Sequence, residues 1–85
     1  MNNDLFAVRR AIDLVDEQLV LLIAARAALV GQAWGQKDLM DVSHFDPNRE
    51  AAILAAVQKR AESLQLPPDK IRAIWQQLIG LTPKS

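Results

Sequence analysis

At 85 residues the chain suits one domain spanning residues 1–85, and at this size folding buries a smaller share of the surface than in a larger domain. Ten basic and ten acidic residues give zero net charge, which argues against nucleic acid or an anionic membrane as a partner. Cysteine is absent, no secretory signal is visible, and no apolar run approaches the ~20 residues of a membrane span, so we expect a cytoplasmic protein.

The first predicted element is one long helix from about Asp4 to about Asp38. This stretch has no proline, and its glycines, Gly31 and Gly35, lie near its far end. At about 1.5 Å per residue the helix would reach roughly 50 Å, longer than a globule of this mass is wide. Apolar residues recur along it at alternating spacings of three and four, which is typical of helices that pack along a seam. This seam consists of Leu5, Val8, Ile12, Val15, Leu19, Leu22, Leu29 and Ala33.

A second helix is predicted after a loop over residues 39–45. Its start is indicated by Asp46 and Pro47, because aspartate is a common N-cap and proline fits the first helical position. We expect this helix to run to about Leu64. Its apolar stripe consists of Ile53, Leu54, Val57, Ala61 and Leu64.

A third helix is predicted to begin at the proline pair Pro67 and Pro68, which also ends the second helix. Since proline cannot continue a helix, Pro83 is expected to end the third helix near Leu81. Its apolar stripe consists of Ile71, Ile74, Trp75, Leu78 and Ile79.

The helix lengths predict self-association. At roughly 25 and 20 Å, the two shorter helices cannot cover the long one in a compact monomer. A second copy with its long helix antiparallel would bury both seams. We therefore predict an all-α fold with three helices per chain, one long and two shorter, in an intertwined antiparallel homodimer.

Arg26 interrupts the apolar seam where a leucine would be expected. A guanidinium stays charged, and burying it without a partner costs several kcal/mol, so Arg26 needs an anion. That anion is either a side chain, Glu50 or Asp16, or a bound ligand, and position alone leaves both open.

Five other polar residues lie at helix ends or beside apolar faces and, with Arg26, form a candidate binding site. Taken singly, Arg9, Lys37 and Arg49 are better explained as surface or interhelical charges, and Asp46 as an N-cap. Arg9 and Arg26 are 17 positions apart, about 25 Å along one helix, so they can hold one small molecule only across an antiparallel dimer. Arginine suits a carboxylate because its planar fork binds both oxygens. The five residues are Arg9, Lys37, Asp46, Arg49 and Glu50.

The order and spacing of several segments resemble the all-helical chorismate mutase family from about Leu5 to Thr82. Each segment is weak evidence by itself, and the combination is specific. The segments are Val8–Asp16 (VRRAIDLVD), Leu21–Arg26 (LLIAAR), Lys37, Asp46–Glu50 (DPNRE) and Ile74–Ile79 (IWQQLI).

The resemblance implies how a substrate would be held. Arg26 and Arg49 of one subunit, with Arg9 of the other, would bind the two carboxylates of chorismate. Thr82 matches a position where the family often has a serine near a carboxylate.

The resemblance also implies the chemistry. Conversion of chorismate to prephenate is pericyclic, so it requires no metal, cofactor or nucleophile. Lys37 would contact a carboxylate and the ether oxygen, and Asp46 and Glu50 would meet the ring hydroxyl. Lys37, Arg26 and Glu50 are therefore the predicted catalytic residues.

Two departures from the family pattern concern the walls of the site. Trp34 stands where many relatives have a glycine, so we expect it to reshape the pocket wall. The glutamine that assists at the ether oxygen would fall at position 86, beyond the printed sequence. The candidates to replace it are Gln76, Gln77, Lys84 and Ser85.

Three alternative functions stay open at this point. A lyase on the same scaffold, forming salicylate and pyruvate from isochorismate, would use the same cations. A mutase of amino-deoxychorismate is a further variant, and a non-catalytic helical dimer with a degenerate site belongs to another class. The only histidine, His44, has no second ligand at metal spacing and is expected on the surface.

Overall fold

The computed structural model describes residues 3–83, which form three α-helices and no strand. They are α1 (Asn3–Leu39), α2 (Pro47–Ser63) and α3 (Pro68–Leu78). The all-α prediction of one long and two shorter helices is therefore confirmed. Among the described helices, none combines the length and apolarity needed to cross a bilayer.

Helix α1 dominates the shape of the chain. Its 37 residues correspond to about 55 Å, and the whole chain measures 61 × 30 × 14 Å along its principal axes. Asp4 in the first turn and Lys37 in the last turn match the positive and negative ends of the helix dipole. The predicted bounds differ from the observed ones by one residue at each end.

Helix α2 begins as the sequence predicts. The side chain of Asp46 accepts a hydrogen bond of 3.0 Å from the backbone N–H of Arg49, and Pro47 occupies the first turn. The helix closes with Leu64 as its C-cap, and Gln65 follows in the left-handed region at φ 60°. This left-handed residue turns the chain towards α3.

Helix α3 ends earlier than the sequence predicts, at Leu78 and not near Leu81. Ile79 already has an extended backbone, and Gly80 has a φ of 81°, which side-chain-bearing residues rarely adopt. The sequence predicts that Pro83 ends the helix, whereas the backbone leaves the helix at Ile79, just before Gly80.

The buried core is small and lies where α2 and α3 meet each other and the second half of α1. Helices α2 and α3 pack together, and α1 adds little to their contact. The buried apolar residues among those described are Ala27, Leu54 and Ala61.

Most of the α1 seam stays open in the single chain, as the helix lengths predict. Seven of its leucine, valine and isoleucine side chains retain 50–65% of their surface. An apolar stripe of this extent on one helix is typical of a surface that another protein covers. The seven are Leu5, Val8, Ile12, Val15, Leu19, Leu22 and Leu29.

Replacing Gly80 by alanine is expected to lower the free energy of unfolding by about 1 kcal/mol, because a Cβ is unfavourable at positive φ. Gly35→Ala is the matched control: Gly35 lies inside α1, and a Cβ there meets nothing within 4 Å. This control is expected to raise the free energy of unfolding by roughly 0.5–1 kcal/mol. Thermal unfolding at equal protein concentration measures the stability of both variants. Equal effects of the two substitutions would contradict the requirement for glycine at position 80.

Candidate active site

A pocket of about 560 Å³ lies between the second half of α1, the α1–α2 loop, the first turns of α2 and the residues that follow α3. Its walls are mainly apolar, with charged side chains at a few points. Five of the seven predicted site residues line it together: Arg26, Lys37, Asp46, Arg49 and Glu50.

Arg26 is half-buried in the pocket wall and is held by the end of α3. Its Nη1 donates a hydrogen bond of 2.9 Å to the carbonyl oxygen of Leu78, the last residue of that helix. Carbonyls in the last turn of a helix have no partner within the helix and carry partial negative charge, so a guanidinium suits this place.

No carboxylate within residues 3–83 lies within 4 Å of Arg26, where an ion pair would place one. The alternative that Arg26 pairs with Glu50 or Asp16 is therefore wrong for this structure. A guanidinium has five N–H donors and the bond to Leu78 uses one of them. The remaining donors allow Arg26 to bind an anion in the pocket.

Lys37 is half-buried in the last turn of α1 and lines the pocket. Its Nζ donates a hydrogen bond of 2.9 Å to the backbone oxygen of His44 in the α1–α2 loop. An ammonium group has three N–H donors, so two remain for a ligand.

Asp46 and Glu50 lie one helical turn apart at the start of α2, and both are half-buried. One oxygen of Asp46 is engaged as the N-cap, which confirms the structural role expected for it. Arg49, between them, is more exposed and still reaches the pocket. Residues spaced by three and four lie on one helix face, which is how one turn of α2 supplies three charges.

The pocket therefore combines three cations with two carboxylates. The cations are Arg26, Lys37 and Arg49, and the carboxylates are Asp46 and Glu50. This set suits a small anion that also carries a hydroxyl group, since a carboxylate accepts a hydrogen bond from a hydroxyl.

Two predicted site residues do not line this pocket. Arg9 is exposed near the start of α1, about 25 Å along the helix from Arg26. Thr82 is half-buried in the segment after α3. Of the candidates for the missing glutamine, Gln76 and Gln77 are exposed on α3 away from the pocket. Lys84 and Ser85 lie outside the described residues.

Two aromatic residues of the pocket wall had only a partial signal in the sequence. Trp34 lines the pocket, as expected for a residue that reshapes its wall, and its ring stacks on the ring of His44 at 4.7 Å. His44 is exposed, as the sequence predicts, with 40% of its side chain accessible, and its ring also contacts Trp34 and Asp38. The spacing of three between Trp34 and Lys37 places both on one face of α1. Nothing in the loop sequence indicated that His44 lines the pocket.

Comparison with known proteins agrees with this arrangement. The sequence profile of the family described as chorismate mutase type II matches residues 8–84, which cover all of the charged pocket. The chain belongs to the chorismate mutase type II family. This match confirms the family resemblance that the motifs predict. Chorismate mutases are isomerases.

One relative of this chorismate mutase family member is the T-protein of Enterobacter agglomerans, 37% identical over 76 residues. The matched region covers 89% of this chain and 20% of the T-protein, so the chain spans about a fifth of the length of that relative. No solved structure matches the chain with significant similarity.

Asp46 has a capping role that can be separated from its charge. Asp46→Ala is expected to lower the free energy of unfolding by about 1 kcal/mol, because it removes the cap of α2. Asp46→Asn keeps an oxygen acceptor at the same position, so its free energy of unfolding is expected to be close to that of the original chain. Chemical denaturation followed by circular dichroism makes the comparison, and an equal loss in both variants would contradict the capping role.

Proposed function

We propose that this chain converts chorismate to prephenate in a homodimer whose two sites are shared between subunits. The observation that carries the proposal is the grouping of Arg26, Lys37, Arg49 and Glu50 around one pocket. Chorismate is a dianion with a ring hydroxyl and an ether oxygen, and each of these features has a matching group there. Membership of the chorismate mutase type II family supports the same substrate.

The proposed mechanism depends on conformation and charge. In the rearrangement the ether C–O bond breaks while a C–C bond forms, and no proton or electron leaves the substrate. Arg26 and Arg49 bind carboxylates and hold the compact diaxial conformer in which the two reacting carbons are close. Because the substrate's flexible side chain is ordered on binding, its conformational entropy is not lost again when the rearrangement takes place.

Charge stabilisation would come mainly from Lys37. Negative charge develops on the ether oxygen as its bond to carbon breaks, and a fixed ammonium stabilises that charge more than it stabilises the ground state. The bond from Nζ to His44 leaves Lys37 two donors for this task. Glu50, with Asp46 one turn earlier, would accept a hydrogen bond from the ring hydroxyl and orient the ring.

The second subunit would supply Arg9. The open α1 seam supports this arrangement, since its side chains from Leu5 to Leu29 keep at least half of their surface in the single chain. Two antiparallel α1 helices would cover both seams and bring the start of one helix beside the second half of the other. Arg9 of the second subunit would then meet Arg26, and Thr82 would lie near a substrate carboxylate.

The activity is tested by incubating the chain separately with chorismate and isochorismate and following substrate loss and pyruvate release. The proposal predicts that chorismate is consumed and prephenate appears without pyruvate. Pyruvate from isochorismate without isomerisation of chorismate would indicate the lyase instead. A chain that alters neither compound would contradict catalysis and favour a non-catalytic dimer.

Lys37→Ala is expected to lower kcat by about 100-fold or more, in line with the loss of one charge-stabilising donor from an active site. Lys59→Ala is the matched control, because Lys59 is an exposed lysine of α2 that does not line the pocket. Steady-state kinetics and circular dichroism on both variants separate catalysis from folding. Near-normal turnover in a folded Lys37→Ala variant would contradict the role of Lys37.

A further inference from the structure

His44 is held by two residues of α1. The indole ring of Trp34 stacks on its imidazole, with ring centroids 4.7 Å apart and ring planes 10° from parallel. On the imidazole edge, Nε2 lies 2.6 Å from the Oδ1 oxygen of Asp38. A stacked face and a hydrogen-bonded edge together restrict both the tilt and the rotation of the ring.

The same residue holds Lys37 through its backbone. The carbonyl oxygen of His44 accepts the 2.9 Å hydrogen bond from Nζ of Lys37. Trp34, Lys37 and Asp38 fall at spacings of three and four, so they share one face of α1. Trp34 and Asp38 thus hold His44, and the backbone oxygen of His44 in turn holds Lys37.

The indole also reaches the opposite rim of the pocket. Atom Cζ2 of Trp34 lies 3.9 Å from the place where a Cβ on Gly80 would stand. Trp34 therefore extends from the α1–α2 loop towards the segment after α3, at a residue without a side chain.

The loop has few other restraints near His44. Its apolar residues Met40, Val42 and Phe45 point largely into solvent, and each keeps about half or more of its surface. Backbone bonds from Met40 and Val42 tie the first part of the loop to the end of α1. From Ser43 to Asp46, the side-chain contacts that join the loop to α1 meet at His44: the stack on Trp34, the hydrogen bond with Asp38 and the bond from Lys37 to the backbone oxygen.

We infer that Trp34 and His44 are positioning residues for Lys37: their stack holds the carbonyl oxygen of His44 where it orients the ammonium group towards the pocket. Lysine has a long flexible side chain, and a fixed acceptor restricts its rotamers before the substrate binds. Less side-chain entropy is then lost during catalysis. This inference rests on the proposed isomerisation of chorismate. It assigns roles to two residues that stand outside the family's charged motif.

The inference differs from direct substrate contact in its kinetic signature. If the stack only orients Lys37, its loss weakens the interaction with the breaking ether bond, so kcat falls while KM changes little. If the two rings touched the substrate as pocket walls, KM would rise at unchanged kcat. The two roles are therefore separable in one set of assays.

The test compares Trp34→Ala and His44→Ala with His44→Phe, which keeps a stacking ring and the backbone carbonyl. Met40→Ala is the control for a shortened side chain in the same loop, since Met40 is 69% exposed and does not line the pocket. Each variant is assayed with chorismate for kcat and KM and checked by thermal unfolding. We expect kcat to fall about tenfold in the two alanine variants, comparable to the loss of one aromatic contact, and to stay near the original value in His44→Phe and Met40→Ala.

A double substitution separates action through Lys37 from a general structural effect. In a Lys37→Ala background, His44→Ala is expected to cause no further loss of kcat, because the group that it positions is already absent. An equal further loss in that background would overturn the inference, as would a rise in KM alone or a His44→Phe variant as impaired as His44→Ala. An original chain that does not convert chorismate overturns the proposed function and this inference together, whereas full activity in both alanine variants overturns the inference alone.

Discussion

The hydrogen bond from Arg26 to the carbonyl of Leu78 is the interaction on which the pocket depends. It joins residues 52 positions apart and connects the second half of α1 to the end of α3. A hydrogen bond from a charged donor contributes about 1.5–3 kcal/mol, a large share of the stability of a chain with so small a core. Since the closest helix packing in the chain is between α2 and α3, this bond is a specific link from α1 to α3, and it orients the guanidinium of Arg26.

Charge placement in the pocket follows from helix ends. Lys37 lies in the last turn of α1, Arg26 meets the carbonyl end of α3, and Asp46 and Glu50 lie at the start of α2. These four charges have the sign that the nearby helix dipole favours, whereas the cation Arg49 in the first turn of α2 does not. A pre-organised site of this kind lowers the reorganisation needed at the moment of reaction.

Local sequence signals predicted the elements, and long-range contacts decided the rest. The N-cap at Asp46 and the open α1 seam follow from short-range patterns, and both are found as expected. The predicted end of α3 was wrong because the backbone leaves the helix at Ile79, next to the left-handed Gly80 and four residues before Pro83. The partner of Arg26 could not be read from spacing, since a backbone carbonyl from another helix carries no side-chain signature.

Five of the residues that the motifs predict for the site line one pocket, because one turn of α2 and the second half of α1 bring them together, whereas Arg9 and Thr82 do not line it. The role of His44 depends on a loop conformation, and its backbone oxygen is the atom that meets Lys37. Backbone contacts of this type leave little trace in residue identity. For the same reason, a loop residue of a type that is common on protein surfaces can still orient a catalytic group.

Complementation measures whether Arg26 of one subunit and Arg9 of the other hold the same substrate. Arg9→Ala and Arg26→Ala chains are prepared separately, then unfolded together and refolded as an equimolar mixture. Half of the dimers would be mixed and each would carry one intact site of two, so the account predicts recovery of about a quarter of the original activity from two nearly inactive parents. A mixture no more active than its parents would contradict shared sites.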